Sequence, residues 1–252
     1  MQFVDAHGQW YEFTPNDNVK KHDYDLSAFK NVDGKMTYSD GKYKSRAGID
    51  VSEFNGDIDW NAVKNAGVEF AFIRIGGRGY GQSGNLYADK KFDDNYKGAK
   101  AAGLDVGCYF FSQAINEEEA KEEAKYVLDI LKGRSLDLPI VYDPESILKD
   151  EARTDNVSGE QFTKNCVAFF DYIKNENNVS NYSYTTMIYC NMVWEAFMLD
   201  LVKLKDYDIW YADYEPLPQT PYHFSIWQYS ESGTISGITG NVDLNIQIIV
   251  DK

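Results

Sequence analysis

Long apolar runs are missing from this 252-residue sequence. No stretch approaches the roughly 18 consecutive apolar residues that a membrane span requires, and the N-terminus lacks the basic-then-apolar pattern of an export signal. The expectation is a soluble chain from which any export signal has gone. Basic residues are scarce as well: 25 Lys and Arg face 40 Asp and Glu, a net charge of -15. Counterion release, which drives nucleic-acid binding, then has the wrong sign, so nucleic acid is not an expected partner. Cysteine is nearly absent, with 3 in all. An odd number cannot complete a disulfide framework, and Cys108, Cys166 and Cys190 have no metal-type spacing, so they read as buried thiols. The 3 histidines, His7, His22 and His223, are isolated in sequence, which supports neither a zinc site nor a Ser-His-Asp triad. No metal and no cofactor is expected.

Aromatic residues are plentiful, at 15% of the chain with 19 Tyr and 5 Trp. Many fall near predicted strand ends, as in clefts where flat rings stack on sugar faces. Residues 1–45 are polar and broken by Asn-Asp and Asp-Gly pairs, with one short alternation near Gln9 to Phe13; they read as an N-terminal extension, ordered in part against the remainder of the chain. Residues 46–252 read as one catalytic domain. Here β-branched and aromatic runs at 47–52, 70–76, 105–111, 138–145, 184–190, 208–214, 224–229 and 241–249 predict eight strands. Helical patterns at 61–66, 92–102, 117–132, 159–175 and 192–201 separate the first six, and short Pro- and Gly-containing links join the last three. This is the pattern of an α/β barrel whose early part winds βα and whose end is mostly β. In such barrels, chemistry gathers at the C-terminal ends of the strands.

The fourth predicted strand ends Tyr-Asp-Pro-Glu. Strand side chains alternate, so Asp143 and Glu145 face the same way at its mouth. Paired carboxylates on a rigid strand end suit glycoside hydrolysis: one keeps a proton for the leaving oxygen while the other supports positive charge on the sugar. Taken alone, the motif reads more readily as a solvated acidic strand end. Asp50 ends the first strand, and Asp243 begins the last beside the Gly240 turn. Strands one and eight are neighbours in a closed barrel, so these two acids could share a wall of the same pocket.

Four motifs in order, DVSEFNGDIDW at 50–60, DPE at 143–145, WQYS at 227–230 and VDLN at 242–245, resemble those of family 25 lysozymes. The resemblance spans roughly 46–249 and leaves the extension uncovered. It implies a modified TIM-like barrel, about (β/α)5 followed by three β-strands. It also implies hydrolysis, with net retention, of the β-1,4 bond from N-acetylmuramic acid to N-acetylglucosamine in peptidoglycan. Under it, Glu145 is the general acid/base, expected to hold its proton because of burial and the charge of Asp143, and Asp143 is its partner, acting through the substrate's acetamido group or by stabilising an oxocarbenium-like state. Asp50 and Asp243 complete the acidic pocket. Tyr109, Phe111, Tyr189, Trp210, Tyr211, Tyr214, Trp227 and Tyr229 are the aromatic candidates for lining a cleft, with alternation sending a share of them to the core. Many family members carry Tyr-His-Phe where this chain has Tyr109-Phe110-Phe111.

The implied partner is the peptidoglycan glycan strand, and the implied location is secreted or wall-associated. Two readings compete: a chitinase-like or endo-N-acetylglucosaminidase hydrolase, and a wall-glycan-binding module without catalysis. A GxGxxG match at 79–84 reads as a flexible loop over the cleft, because no helix opens within its glycines. Asn156, Asn178 and Asn181 begin short glycosylation-acceptor patterns that recur by chance.

Overall fold

Strands with two apolar faces must be covered on both sides. Eight strands of this chain meet that demand by closing on one another. The computed structural model describes residues 1–180 and 182–251. It opens with two hairpins, β1 (Gln2–Val4) with β2 (Trp10–Glu12) and β3 (Phe29–Val32) with β4 (Lys35–Tyr38). There follow β5 (Tyr43–Val51), α1 (Trp60–Asn65), β6 (Phe70–Arg78), β7 (Leu86–Ala88), α2 (Phe92–Ala101), β8 (Asp105–Ser112) and α3 (Glu117–Leu131). The second half comprises β9 (Ile140–Pro144), α4 (Gly159–Ser180), β10 (Thr186–Asn191), a π-turn (Trp194–Met198), β11 (Asp208–Ala212), β12 (Ile226–Gly233) and β13 (Val242–Val250).

Round the barrel the order is β5-β6-β8-β9-β10-β11-β12-β13 and back to β5, with β7 a flap on β6. Neighbours are parallel from β5 through β12. β13 runs antiparallel to both β12 and β5. The link from β12 to β13 is too short for the crossover that a parallel pair needs, so the last strand returns as a hairpin partner. The fold is thus a mixed α/β closed barrel. All eight predicted strands and the first four predicted helices are present, with shifted ends; α4 continues to Ser180, and the fifth predicted helix is only the π-turn.

Alternation splits each strand between two cores. Phe70, Phe72, Leu138, Val141, Met187, Trp210 and Ile226 fill the barrel interior below its mouth. Gly48 and Gly107 are part of that packing: a Cβ at Gly48 would run into the Phe70 ring, and one at Gly107 into Phe72 and Leu138. The opposite faces, including Ile49, Ile73, Cys108, Tyr142 and Ile188, pack outward against the helices. Cys108, Cys166 and Cys190 are free and buried. Among the described residues no helix is long and apolar enough to cross a membrane.

Among the described residues no α-helix lies between β11 and β13, so the outward residues of β11 and β12 need another cover. Residues 1–42 supply it. Phe29 meets Trp227 edge-on at 5.3 Å, and Tyr24 meets Phe224 at 5.1 Å. Backbone bonds run alongside: His223 N donates to Lys20 O at 2.9 Å, and His22 N to Pro221 O at 3.2 Å. At the far end Gln219 clasps Val4, accepting from its N–H at 2.9 Å and donating to its carbonyl at 2.8 Å. Two histidines isolated in sequence meet here, His22 stacked on Tyr24 at 5.2 Å and His223 at 6.0 Å from the same ring. Burial lowers the pKa of both.

The 79–84 loop turns β6 into β7 and is tied down, which corrects the expectation of a flexible loop. Arg78 Nη1 donates to Gly84 O at 2.9 Å, and Arg153 N donates to Tyr80 O at 2.9 Å. Asn156 and Asn178 are exposed, whereas Asn181 lies outside the described residues.

If residues 1–42 are part of the barrel's core, Phe29→Ala should lower the stability of the whole chain by about 3–5 kcal/mol. In urea unfolding followed by tryptophan fluorescence, the single transition should move to lower denaturant. An unmoved main transition would show the segment to be an independent appendage.

Candidate active site

The cavity of about 330 Å³ at the mouth of the barrel falls within the range of small-ligand sites. Each strand of the barrel contributes side chains to the cavity wall. β5 brings Asp50, with Ser52 and Phe54 just beyond it; β6 brings Arg74, and β8 brings Tyr109 and Phe111. β9 brings Asp143, with Glu145 just past its end, and β10 brings Tyr189. Trp210 of β11, Tyr214 beyond it, Gln228 and Glu231 of β12 and Asp243 of β13 complete the wall. Asp50 and Asp243 are direct cross-strand partners, as are Phe111 and Asp143.

Asp50 is 4% exposed, and a buried carboxylate needs compensating donors. It has two on one oxygen: Gln228 Nε2 and Asn245 Nδ2 each donate to Oδ2 at 2.8 Å. Those amides are themselves oriented. Trp210 Nε1 donates to Asn245 Oδ1 at 2.7 Å, and the Tyr189 and Tyr214 hydroxyls donate to Gln228 Oε1 at 2.8 and 2.9 Å. With its acceptor oxygen occupied, each amide can only turn its NH2 toward Asp50.

Burial, reinforced at Asp143, Glu145 and Asp243 by the crowding of like charges, sets the protonation of the four acids. Burial, opposed by its hydrogen bonds, raises the Asp50 carboxyl. Burial pushes Asp243 up to about 9, reinforced by the charge of Asp50 and by a hydrogen bond between the two carboxyls that places the proton on Asp243. Asp143 is raised well above the carboxylate range by burial and then by Glu145 and Asp50, with Arg74 pulling the other way; its Oδ1 is buried without a hydrogen-bond partner among the described residues. Glu145 is pushed up to about 7, first by burial and then by the charges of Asp50 and Glu231. The sequence expectation named Asp143 as the like charge acting on Glu145; the repulsion between these two instead falls on Asp143. Glu145 is the more open of the pair, being half-buried, and its backbone carbonyl accepts from Gln113 Nε2 at 2.7 Å.

Arg74 is the one cation on the described wall, and it is already engaged. Its Nε donates to Asp89 Oδ2 at 2.8 Å, Glu53 Oε1 lies 3.4 Å from Nη2, and the exposed Phe54 ring sits 4.7 Å from the guanidinium.

The cavity brings together all four predicted acids, Asp50, Asp143, Glu145 and Asp243, with the predicted aromatics Tyr109, Phe111, Tyr189, Trp210 and Tyr214. Tyr211, Trp227 and Tyr229 do not line it. They have the opposite parity and are buried on the outer face of the barrel, where the Tyr211 hydroxyl and the Trp227 indole bond to Asp213. Phe110, at the departure from Tyr-His-Phe, also faces outward, 6.4 Å edge-on to Tyr126. Sequence reasoning passed over Ser52, Phe54, Arg74, Gln228 and Glu231. Arg74 had left a signal, a lone charge inside the apolar run Phe-Ile-Arg-Ile.

A closed α/β barrel with a carboxylate cluster at its mouth defines the class of molecule. The particular family follows from comparison: the chain matches the family model of glycosyl hydrolases family 25 over residues 49–238 and belongs to that family. It is 32% identical over 200 residues to an autolytic lysozyme of Clostridium acetobutylicum, across 79% of this chain and 54% of that protein. It is 31% identical over 205 residues to lysozyme M1 of Streptomyces globisporus, across 79% of this chain and 66% of that one. The chain thus spans about half to two thirds of the length of these curated relatives. Among solved structures, a bacterial lysozyme from Streptomyces coelicolor superposes with a TM-score of 0.64 at 26% identity, covering 79% of this chain and 90% of that one. The modular autolysin LytC from Streptococcus pneumoniae, solved with a synthetic peptidoglycan ligand, gives 0.69 at 24% identity over 97% of this chain and 56% of its own. At that coverage the likeness in fold reaches into residues 1–45.

The raised carboxyls carry a stability consequence. A carboxyl whose folded pKa exceeds its unfolded value keeps its proton longer in the fold, so stability falls as pH rises between the two values. For Asp243 that window runs from about 4 to about 9. Asp243→Asn removes the titration and should raise Tm relative to the parent more at pH 8 than at pH 5, by roughly a few degrees. Equal differences at both pH values in differential scanning fluorimetry would refute the shared-proton arrangement.

Proposed function

We propose that this chain is a muramidase that cleaves, with net retention, the β-1,4 bond from N-acetylmuramic acid to N-acetylglucosamine in peptidoglycan, with Glu145 as general acid/base. The observation that carries this reading is the convergence of Asp50, Asp143, Glu145 and Asp243 on one sugar-sized cavity walled by aromatic rings. Membership of the family and the lysozymes among its relatives support it.

Glu145 holds its proton up to about pH 7 and is the carboxyl open enough to meet a glycosidic oxygen. It gives that proton to the leaving sugar as the bond to the anomeric carbon breaks, then takes one back from the water that attacks the same carbon. Asp143 lines the cavity and its buried Oδ1 has no hydrogen-bond partner among the described residues, which suits accepting the N–H of the substrate's 2-acetamido group. So held, the acetamido oxygen is turned toward the anomeric carbon, and its internal attack accounts for retention without a protein nucleophile. Asp50 and Asp243, sharing a proton, set the negative potential that supports the oxocarbenium-like state. Tyr109, Phe111, Tyr189, Trp210 and Tyr214 supply faces and edges for the sugar rings.

On this reading residues 46–252 are the catalytic domain, about five βα units followed by three strands, and residues 1–45 are an extension that covers its helix-poor side. The site of action is outside the cell or at its wall, and the partner is the glycan strand.

Glu145→Gln keeps the shape of the side chain and removes its proton, so turnover on purified peptidoglycan should fall at least about a hundredfold. Full activity would remove Glu145 from the role. Reducing-end analysis of the products should give new muramic acid ends; cleavage of chitin oligomers instead would favour the chitinase-like reading. Sedimentation with walls but no soluble fragments between about pH 4 and 8 would favour a binding module. Because Glu145 must be protonated to donate, kcat/KM should hold at mildly acidic pH and decline above about 7, and a profile flat through that range would count against it.

A further inference from the structure

The cavity wall contains a fifth carboxylate that alternation alone would send elsewhere. Counted by twos from Gln228, whose side chain reaches Asp50 inside the barrel, Glu231 falls with the outward-facing Trp227 and Tyr229. The pairing of β12 with β13 changes this. Gln228 is opposite Asn245, but Ser230 is opposite Leu244 and Gly233 opposite Val242, so the register slips between each pair. The first slip puts Ser230 against Leu244, which faces the outer core, and hands the cavity face to the next residue. Bulges beside active sites re-aim side chains in this way. Glu231 therefore lines the cavity on the strand beside Asp243, and its side chain is open to solvent.

We propose that Glu231 is a positioning residue for the proton donor, a rim carboxylate whose charge holds the proton on Glu145 and so sets the upper pH at which the site works. The proposal rests on the reading of Glu145 as the acid. The charged and titratable groups facing Glu145 across the cavity are Asp50 of β5, Arg74 of β6, Tyr109 of β8, Asp143 of β9, Tyr189 of β10, Tyr214 beyond β11, Glu231 of β12 and Asp243 of β13. Their charges are not equally available. Arg74 is committed to Asp89 and Glu53, Asp243 holds the proton it shares with Asp50, Asp143 is kept protonated by burial and by the charges of Glu145 and Asp50, and the tyrosines are held in their neutral form by burial. That leaves Asp50 and Glu231 as the charges that oppose ionisation of Glu145. Asp50 is locked in the amide network and cannot be exchanged without loss of the site. Glu231, on the solvent side, can be.

Glu231→Gln removes the charge and keeps the size of an exposed side chain, so the fold should be untouched. The Glu145 carboxyl, followed by carbon-13 NMR in the substrate-free protein, should titrate lower by roughly half a pH unit, and Glu231→Lys should move it further the same way. With peptidoglycan, the alkaline limb of kcat/KM should shift equally, so that the activity of Glu231→Gln relative to the parent is about threefold lower at pH 8 than at pH 5. In 0.5 M salt the difference should shrink, since a rim charge is screened. A Glu145 titration that neither substitution moves would overturn the proposal, as would activity lost equally at pH 5 and pH 8. The NMR titration needs no substrate. A Glu145 titration that shifts in a protein without muramidase activity would therefore sink the functional reading while leaving the electrostatic coupling standing.

Discussion

The anchoring of Asp50 is the interaction on which the rest of the site depends. A carboxylate 4% exposed at the top of a barrel core is costly unless its lone pairs are met. Gln228 and Asn245 meet them, and each is aimed by a donor at its far end, Tyr189 with Tyr214 for the first and Trp210 for the second. Strands from across the barrel and the segment after β11 are thereby held in one polar network. The aromatic side chains of the cavity have two tasks as a result: their rings form the wall, and their N–H and O–H groups fix the amides that fix the acid.

Around that anchor the molecule accumulates like charge. Asp243 and Asp143 stand against Asp50, Glu145 stands against both Asp50 and Glu231, and the single cation of the described wall is spent on Asp89 and Glu53 outside it. Such crowding lowers the stability of the fold and keeps protons on groups that would lose them in water. A protein with this arrangement trades some folding free energy for an acid that is still loaded near neutral pH.

Much of this was legible in the sequence because it rests on period two. Asp50, Asp143 and Glu145 share the inward parity of Phe70, Val141 and Trp210, and strand-end acids in three separate segments could be placed at one mouth before any contact was known. The same rule, pursued to the side chain, would have set Tyr211, Trp227 and Tyr229 apart from Trp210 and Gln228. The misses are instructive where the rule itself breaks. Glu231 reaches the cavity through a bulge, and a bulge is a property of how two strands pair, which a single strand's pattern does not encode. The antiparallel return of β13 was likewise hidden, since only the length of its connection argued for it. Residues 1–45 were read as a polar extension only partly ordered against the barrel because their buried apolar side chains, among them Phe3, Phe13, Tyr24, Phe29 and Met36, are spaced to fit another surface and have no periodicity of their own.

That clasp between Val4 and Gln219 joins positions 215 apart in sequence, and β5 closes against β13 across nearly as great a span. Residues 1–42, made before the strands they cover, must therefore wait with their aromatic side chains uncovered until those strands have been synthesised. Assembly of this barrel is a late, long-range event of high contact order, and protection of the uncovered side chains during synthesis matters more here than for a barrel sealed by its own local helices.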